Sequence, residues 1–290
     1  MSRAADALSG ANPRAGTEPV TVEGDGILFT GLRWGSTGTG AGIGRMAVLL
    51  HGVQSSAATM ARTARALAAD GWNVVALDMP GHGATTWLDG REDRERYERA
   101  NVVRLVATAV AAVADRAALI GHSWGADTAL AIAAGGARLE RTVLIDPPSL
   151  TPAEAEALGA SEIAELRPGD LAAARALIEA AGIISDPVDI AAKAEALTQA
   201  SALAILAALR SPGAWQPLVD ARRHPALPGR TPLDVILGDP AVGGLMPWPV
   251  IGDLRTILGV GHVHVLAGAG HSPQRTDFER FWPLLRGILR

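Results

Sequence analysis

Short apolar runs alternate with helical patterns along most of the chain. Residues 46–50, 73–77 and 141–145 are nearly uniform in their apolar character, which is typical of strands buried on both faces of a sheet. Between them, residues 57–69 and about 92–114 carry apolar side chains at helical spacing. This alternation predicts an α/β fold, with a mostly parallel sheet flanked by helices.

The chain opens and closes with further elements of the same sheet. Residues 20–22 and 27–34 flank the turn Gly24-Asp25-Gly26, which predicts a β-hairpin. Strand patterns return at residues 233–237 and 263–266, and an amphipathic pattern from Asp277 to Leu289 predicts a closing helix.

No strand pattern occurs between Pro147 and about Arg230. This stretch is rich in Ala, Leu and Glu, and Pro and Gly interrupt it at intervals, which predicts a helical insertion. The predicted organisation is therefore a flexible N-terminal tail (1–18), a core domain (19–146 and 231–290) and a helical cap (147–230).

Composition narrows the classes of function. The 290 residues are 48% hydrophobic and 19% charged, as in globular proteins, and the net charge is −4 without a basic cluster. This charge argues against a nucleic-acid partner. The chain has no cysteine, which excludes disulfides, thiolate metal sites and a cysteine nucleophile. No apolar leader or membrane-spanning run is present in the sequence, so we expect a cytoplasmic protein without a membrane partner.

The glycine-rich segment 35–44 does not predict a cofactor site. Its glycines are spaced differently from the G-x-G-x-x-G fingerprint, and the segment precedes a strand instead of following one. We therefore expect no cofactor.

A nucleophile motif follows the strand pattern at residues 117–120. The sequence there is Gly121-His122-Ser123-Trp124-Gly125, and an Ala-rich helical segment comes next. This G-x-S-x-G pattern in a strand–turn–helix context is typical of a serine nucleophile exposed above a sheet. A strand-to-helix connection with an incidental serine is the alternative interpretation.

A serine nucleophile needs a base and a group that orients the base. His271, in a Gly-rich loop after the last strand pattern, is the best candidate for the base. Asp239 follows the penultimate strand pattern and gives the chain order Ser…Asp…His, so we favour it as the acid. Asp146 also ends a strand pattern and remains the alternative, and either aspartate could instead cap a turn.

Two backbone N–H groups are candidates for an oxyanion hole, those of Val53 and Trp124. The remaining histidines do not predict a metal site, since the pair His262 and His264 lacks a third ligand at a suitable spacing. His51, His82 and His122 lie in predicted turns near the site, and we interpret them as structural.

Taken together, these motifs resemble the α/β-hydrolase superfamily, in particular its esterase and C–C hydrolase branch with a helical cap. The resemblance covers about residues 20–150 and 230–290. The motifs that carry it are His51-Gly52, Asp78–Gly83, Gly121–Gly125, Gly238-Asp239 and Gly270-His271.

The resemblance implies Ser123 as nucleophile, His271 as base and Asp239 as its orienting acid, with Val53 and Trp124 as oxyanion donors. Related dehalogenases and epoxide hydrolases have aspartate at the position of Ser123, which disfavours those activities.

We therefore expect a cofactor-free serine hydrolase that cleaves a small, partly apolar carboxylic ester through an acyl-enzyme. A C–C bond hydrolase or a lactonase with the same triad is the first alternative, and a non-catalytic binding protein is the second. Candidate substrate-binding residues, which could equally pack the cap onto the core, are Gln54, Leu203, Leu206, Trp215, Leu218, Met246 and Trp248.

Overall fold

A computed structural model describes residues 12–35, 44–87, 95–224 and 231–290. Eight strands lie in these ranges and form one sheet. The strands are β1 (Glu18–Gly24), β2 (Ile27–Trp34), β3 (Met46–Leu50), β4 (Asn73–Leu77), β5 (Ala118–His122), β6 (Arg141–Ile145), β7 (Leu233–Gly238) and β8 (Val263–Leu266).

The sheet is parallel except at one edge. Its strand order is β1-β2-β4-β3-β5-β6-β7-β8, and β1 and β2 form an antiparallel hairpin that pairs antiparallel with β4. Asp25 and Gly26 turn the hairpin with positive φ values of 50° and 76°, which is the backbone that a two-residue turn needs. The predicted fold, a mostly parallel sheet flanked by helices, is confirmed.

Helices cover both faces of the sheet. Those that belong to the core are α1 (Ala61–Ala69), α2 (Arg99–Val113), α3 (Trp124–Ala134), α9 (Trp248–Leu258), α10 (Pro273–Thr276) and α11 (Phe278–Ile288). Within the described residues, five more lie between β6 and β7: α4 (Pro152–Ala164), α5 (Leu171–Ala181), α6 (Pro187–Thr198), α7 (Ala202–Leu209) and α8 (Pro217–Arg223). Short 3₁₀ turns occupy Ala57–Met60, Pro240–Val242 and Val260–His262.

Alternate residues of the central strands enter different cores, as the two-residue period of a strand requires. Val48 and Leu50 of β3 pack with the cluster that contains α2 and α3, whereas Ala47 and Leu49 pack with α1 and α11 on the opposite face. The carboxyl ends of β3, β5, β6 and β7 are thereby fixed at one edge of the sheet, where ligands bind in open α/β folds.

Polar caps start most of the inserted helices. Thr151 and Glu154 form a capping box at α4, and the side chains of Asp170, Asp186 and Ser201 accept hydrogen bonds from backbone N–H groups in the first turns of α5, α6 and α7. These caps satisfy backbone donors that have no partner within a helix. The sequence therefore specifies the helix starts of this helical insertion locally.

Helix α9 is an element that the pattern analysis missed. Pro247 and Pro249 flank its first residue, Trp248, which the sequence pattern placed in no helix. Proline is compatible with the first turn of a helix, because the N–H that it lacks would have no intrahelical acceptor there.

Several other expectations fall partly outside the described residues. Residues 1–11 of the predicted tail, residues 36–43 of the glycine-rich segment and the start of the predicted helix at 92 lie there. The described end of the tail forms a turn, and its Arg14 makes an ion pair with Glu195 of α6 at 2.7 Å. Within the described ranges, no helix is long and apolar enough to cross a bilayer.

Candidate active site

Ser123 occupies a sharp turn between β5 and α3. Its φ of 54° and ψ of −117° are values that residues other than glycine rarely adopt. A Cβ added at Gly121 would lie 2.2 Å from the carbonyl oxygen of Gly125, and one added at Gly125 would lie 2.4 Å from that of Leu50. Close backbone contacts therefore require both glycines of the motif, and the turn has the geometry of a nucleophile elbow.

His271 lies in the loop between β8 and α10. Its Nδ1 is 2.6 Å from a carboxylate oxygen of Asp146, so this nitrogen carries the proton and Nε2 keeps a free lone pair. Ser123 and His271 line the same cavity. No hydrogen bond joins Ser123 Oγ to His271 among the described residues, and in enzymes the hydrogen bond between a nucleophile and its base commonly tightens only in the substrate complex.

Asp146 is the acid that contacts the histidine. It is fully buried at the end of β6, and its backbone has a positive φ of 41°. Besides His271, its carboxylate accepts hydrogen bonds from the backbone N–H groups of Gly238 and Leu245, each at 3.0 Å. Three donors therefore fix the orientation of this carboxylate.

Asp239, which we favoured from the sequence, does not contact His271. Its side chain accepts hydrogen bonds from the backbone N–H groups of Gly268 and Ala241, at 2.8 and 2.9 Å, and these bonds lower its pKa. Asp239 thus supports the base of the loop that carries His271.

The backbone at the end of β7 explains why this strand, the neighbour of β8, does not supply the acid that contacts His271. The N–H of Asp239 donates to the carbonyl of Ala269 at 2.7 Å, and a Cβ on Gly238 would lie 2.4 Å from the carbonyl oxygen of Gly270. The histidine loop therefore passes directly over Gly238, which carries His271 past β7 to the end of β6, where Asp146 lies.

The loop after β3 holds the first predicted oxyanion donor. Val53 lies on the cavity wall, and a Cβ on Gly52 would lie 2.9 Å from the Cβ of Ser123. Trp124, the second predicted donor, is the first residue of α3, where backbone N–H groups point out of the helix. Gln54, which follows Val53 in the loop after β3, has a positive φ of 53°. Strained backbone of this kind concentrates at functional sites.

Three histidines, His51, His82 and His122, are buried near the cavity, and two of them support its loops. His51 Nδ1 donates to the carbonyl of Gly52 at 2.7 Å, and its Nε2 accepts from the N–H of Met79 at 2.9 Å. His122 Nε2 donates to the carbonyl of His271 at 3.0 Å. Burial lowers the pKa of His51 to about 4 and that of His82 to about 3, and it holds the pKa of His122 well below its usual value. All three are therefore neutral at pH 7.

The cavity has a volume of about 370 Å³, within the usual range for small-molecule sites. It lies between the elbow and helices α4, α5 and α6. Its apolar wall consists of Leu158, Leu177, Ile178, Ala181, Ile183, Ile184 and Leu245.

Most of the predicted substrate-binding residues do not line this cavity. Gln54 does, but the other six do not. Helix α7, which contains Leu203 and Leu206, is apolar on every side, and a helix of that composition packs in a core. Trp215 and Met246 are fully buried in the core, Leu218 packs against it, and the side chain of Trp248 is half exposed. Of the six residues that do not line the cavity, five therefore fit the alternative interpretation, that they pack the cap onto the core, and Trp248 does not.

Sequence reasoning also missed the charged part of the cavity wall. Lys193, Arg275, Glu162 and Glu165 all line it. Lys193 is the single lysine of the chain, and that rarity was an available signal. Its Nζ donates to the backbone carbonyl and to the side-chain Oε1 of Gln54, at 3.0 and 2.9 Å.

The predicted absence of a metal site was based on His262 and His264. In the structure, His262 Nδ1 lies 2.8 Å from a carboxylate oxygen of Asp234. No group of three His, Cys, Asp or Glu side chains in the described part of the chain is placed to hold a metal ion.

Comparisons with known proteins place this site in a family. The model of the alpha/beta hydrolase family matches residues 47–283. E-2-(acetamidomethylene)succinate hydrolase has a similar structure, with a TM-score of 0.78, 20% identity and coverage of 94% of this chain and 99% of that chain. A carboxylesterase from Bacillus subtilis has a TM-score of 0.68, with 16% identity and coverage of 98% and 95%.

An epoxide hydrolase from Vigna radiata is also similar, with a TM-score of 0.68, 17% identity and coverage of 94% and 98%. No curated protein matches the chain. Identities this low show a shared fold, whereas the family model covers most of the sequence. The chain belongs to the alpha/beta hydrolase family.

Proposed function

We propose that this protein is a serine hydrolase that cleaves a small, partly apolar carboxylic ester through an acyl-enzyme intermediate. The observation that carries the proposal is the 2.6 Å hydrogen bond between His271 and the buried Asp146, at a cavity that Ser123 also lines. A serine hydroxyl is a weak nucleophile by itself, and an oriented imidazole is what activates it.

In the proposed reaction, Ser123 Oγ attacks the ester carbonyl carbon while His271 Nε2 takes its proton. The Asp146 carboxylate stabilises the imidazolium that forms. The backbone N–H groups of Val53 and Trp124 donate to the oxyanion of the tetrahedral intermediate. The imidazolium then protonates the leaving alkoxide, and a water molecule deprotonated by His271 hydrolyses the acyl-enzyme and releases the carboxylic acid.

The same groups would also serve a C–C bond hydrolase or a lactonase. The apolar side chains that α4 and α5 contribute to the wall, Leu158, Leu177 and Ile178, support a substrate with a partly apolar acyl or alcohol group, because these side chains offer no hydrogen-bond partners. A panel of p-nitrophenyl esters, a lactone and a vinylogous diketone distinguishes the three activities by their kcat/KM values.

Labelling with a fluorophosphonate probe tests the nucleophile directly. The wild-type protein should be labelled at Ser123, and Ser123→Ala should lose both the label and ester turnover. Ser272→Ala is a matched control, since Ser272 lines the same cavity without elbow geometry, and it should keep the label. A wild-type protein that is folded but resists the probe would favour a non-catalytic binding protein.

A further inference from the structure

Two basic side chains lie in the wall of the cavity that holds Ser123. They are Lys193 of α6 and Arg275 of α10. The Arg275 residue is only 7% exposed. Burial lowers the pKa of Lys193 to about 8; the charge of Glu162 opposes this shift, and the positive charge of Arg275 adds to it. Two like charges are therefore within electrostatic reach of each other in a single cavity.

Among the described residues, neither base forms a direct ion pair. Within those residues, Lys193 donates to the two neutral oxygens of Gln54. Arg275 Nη2 donates to Ser272 Oγ at 3.1 Å, whereas its Nε and Nη1 are buried and have no hydrogen-bond acceptor among the described residues. In those same ranges, neither Lys193 nor Arg275 forms an ion pair within 4 Å. Buried charges are normally paired, because an unpaired one is costly.

The acidic groups nearby do not supply the missing partner. Asp189 lies 3.4 Å from Arg62, and burial raises its pKa to about 6. Glu162 lines the cavity and burial raises the pKa of its carboxyl, but no ion pair within 4 Å joins it to either base among the described residues. Glu162 acts on both bases and Asp189 acts on Arg275 through charge at longer range, so in the described ranges both bases keep N–H donors without an acidic acceptor.

We propose that Lys193 and Arg275 form a carboxylate-binding subsite, so that the substrate carries a free carboxylate beside its scissile bond. The guanidinium and the ammonium bring two positive charges to one wall of the cavity, and each can donate a hydrogen bond to a carboxylate oxygen. The substrate class is then the half-ester of a dicarboxylic acid, whose apolar chain lies against α4 and α5. This inference rests on the proposed function for the position of the scissile bond, but not for the binding of the carboxylate.

A matched pair of substrates tests the subsite kinetically. The p-nitrophenyl half-ester of adipic acid carries the carboxylate, and methyl p-nitrophenyl adipate is its neutral counterpart. The wild-type protein should prefer the half-ester, and Arg275→Gln and Lys193→Met should each reduce the ratio of the two kcat/KM values roughly 10- to 100-fold. Arg280→Gln, an exposed arginine outside the cavity, should leave the ratio unchanged. A wild-type preference for the neutral diester overturns the proposal.

Binding without turnover separates this inference from the proposed function. Adipate should bind to the Ser123→Ala variant in a calorimetric titration. In the double variant that also carries Arg275→Gln, the Kd for adipate should be roughly 10- to 100-fold higher. Adipate binding by a protein that cleaves no ester would refute the esterase while keeping the subsite.

A second variant keeps the test valid if Arg275→Gln fails to fold. Glu162→Gln removes a competing carboxyl from the cavity wall. The double variant of Ser123→Ala and Glu162→Gln should therefore bind adipate more tightly than Ser123→Ala alone. Unchanged or weaker binding contradicts the subsite, as does adipate affinity that does not depend on Lys193.

Discussion

The identity of the acid that supports His271 can be tested with two isosteric substitutions, Asp146→Asn and Asp239→Asn. In the structure, one carboxylate oxygen of Asp146 faces Gly238 N–H, and the other faces both Leu245 N–H and His271. An asparagine keeps only one of these oxygens. Its NH₂ group must therefore oppose at least one backbone N–H, or meet the imidazole and reverse its tautomer.

The loss of charge sets the size of the effect. A carboxylate about 4 Å from an imidazolium stabilises it by about 4 kcal/mol at an effective dielectric constant of about 20. Each 1.4 kcal/mol, approximately, corresponds to a tenfold change in rate. We therefore expect Asp146→Asn to lower kcat by roughly 10³-fold or more, a loss of the size known for triad aspartates. Asp239 does not contact His271, so the loss of kcat in Asp239→Asn should stay below about tenfold.

The assay is steady-state hydrolysis of a p-nitrophenyl ester, with thermal unfolding of each variant measured alongside to show that it is folded. A double variant identifies the route of the effect. If Asp146 acts through the imidazole, Asp146→Asn should add almost nothing to the loss already caused by His271→Ala. The assignment is refuted if folded Asp239→Asn loses as much activity as Asp146→Asn, or if the two losses in the double variant simply add.

Two further predictions concern stability. Gly125→Ala should lower the free energy of unfolding by about 3 kcal/mol or more, since the new Cβ meets backbone carbonyls. The control Gly252→Ala, in open space on α9, should raise the free energy of unfolding by about 0.5–1 kcal/mol. Urea titrations in which both variants behave alike would contradict this prediction. The pKa of His51, lowered by burial to about 4, means that the unfolded chain binds its proton first on acidification, so stability falls as pH drops below about 6.5. Between pH 7 and pH 5, the loss of unfolding free energy should be smaller in His51→Gln than in the wild-type protein by about 2 kcal/mol. Urea titrations in which wild type and His51→Gln show the same pH dependence would disprove the lowered pKa of His51.

The fold and the elbow could be predicted from the sequence because both depend on local patterns. Uniformly apolar strands indicated a parallel sheet, and the two glycines beside Ser123 indicated a tight turn. The acid could not be chosen in this way, since Asp146 and Asp239 both end strands and both precede His271. The choice depends on a contact between distant segments, the passage of the histidine loop over Gly238.

The cavity wall was predicted poorly for a related reason. Apolar residues of the insertion were selected as candidates by their hydrophobicity alone, but the strongly apolar helix α7 packs in the core. The amphipathic helix α5 and the rim residues Ile183 and Ile184 face the cavity instead. Hydrophobicity predicts burial, and it does not tell which buried surface faces a ligand.

Gln54 connects these two parts of the site. It follows the predicted oxyanion donor Val53, its two oxygens accept hydrogen bonds from Lys193 of α6, and its side-chain amide donates to the carbonyl of Glu162 in α4. The inserted helices therefore hold the loop of the proposed oxyanion donor as well as the wall of the cavity. A change in the insertion that displaces Lys193 should then reduce kcat for neutral substrates as well as recognition of a carboxylate. For this reason the proposed subsite is measured by the ratio of two substrates, in which a shared loss of catalytic geometry cancels.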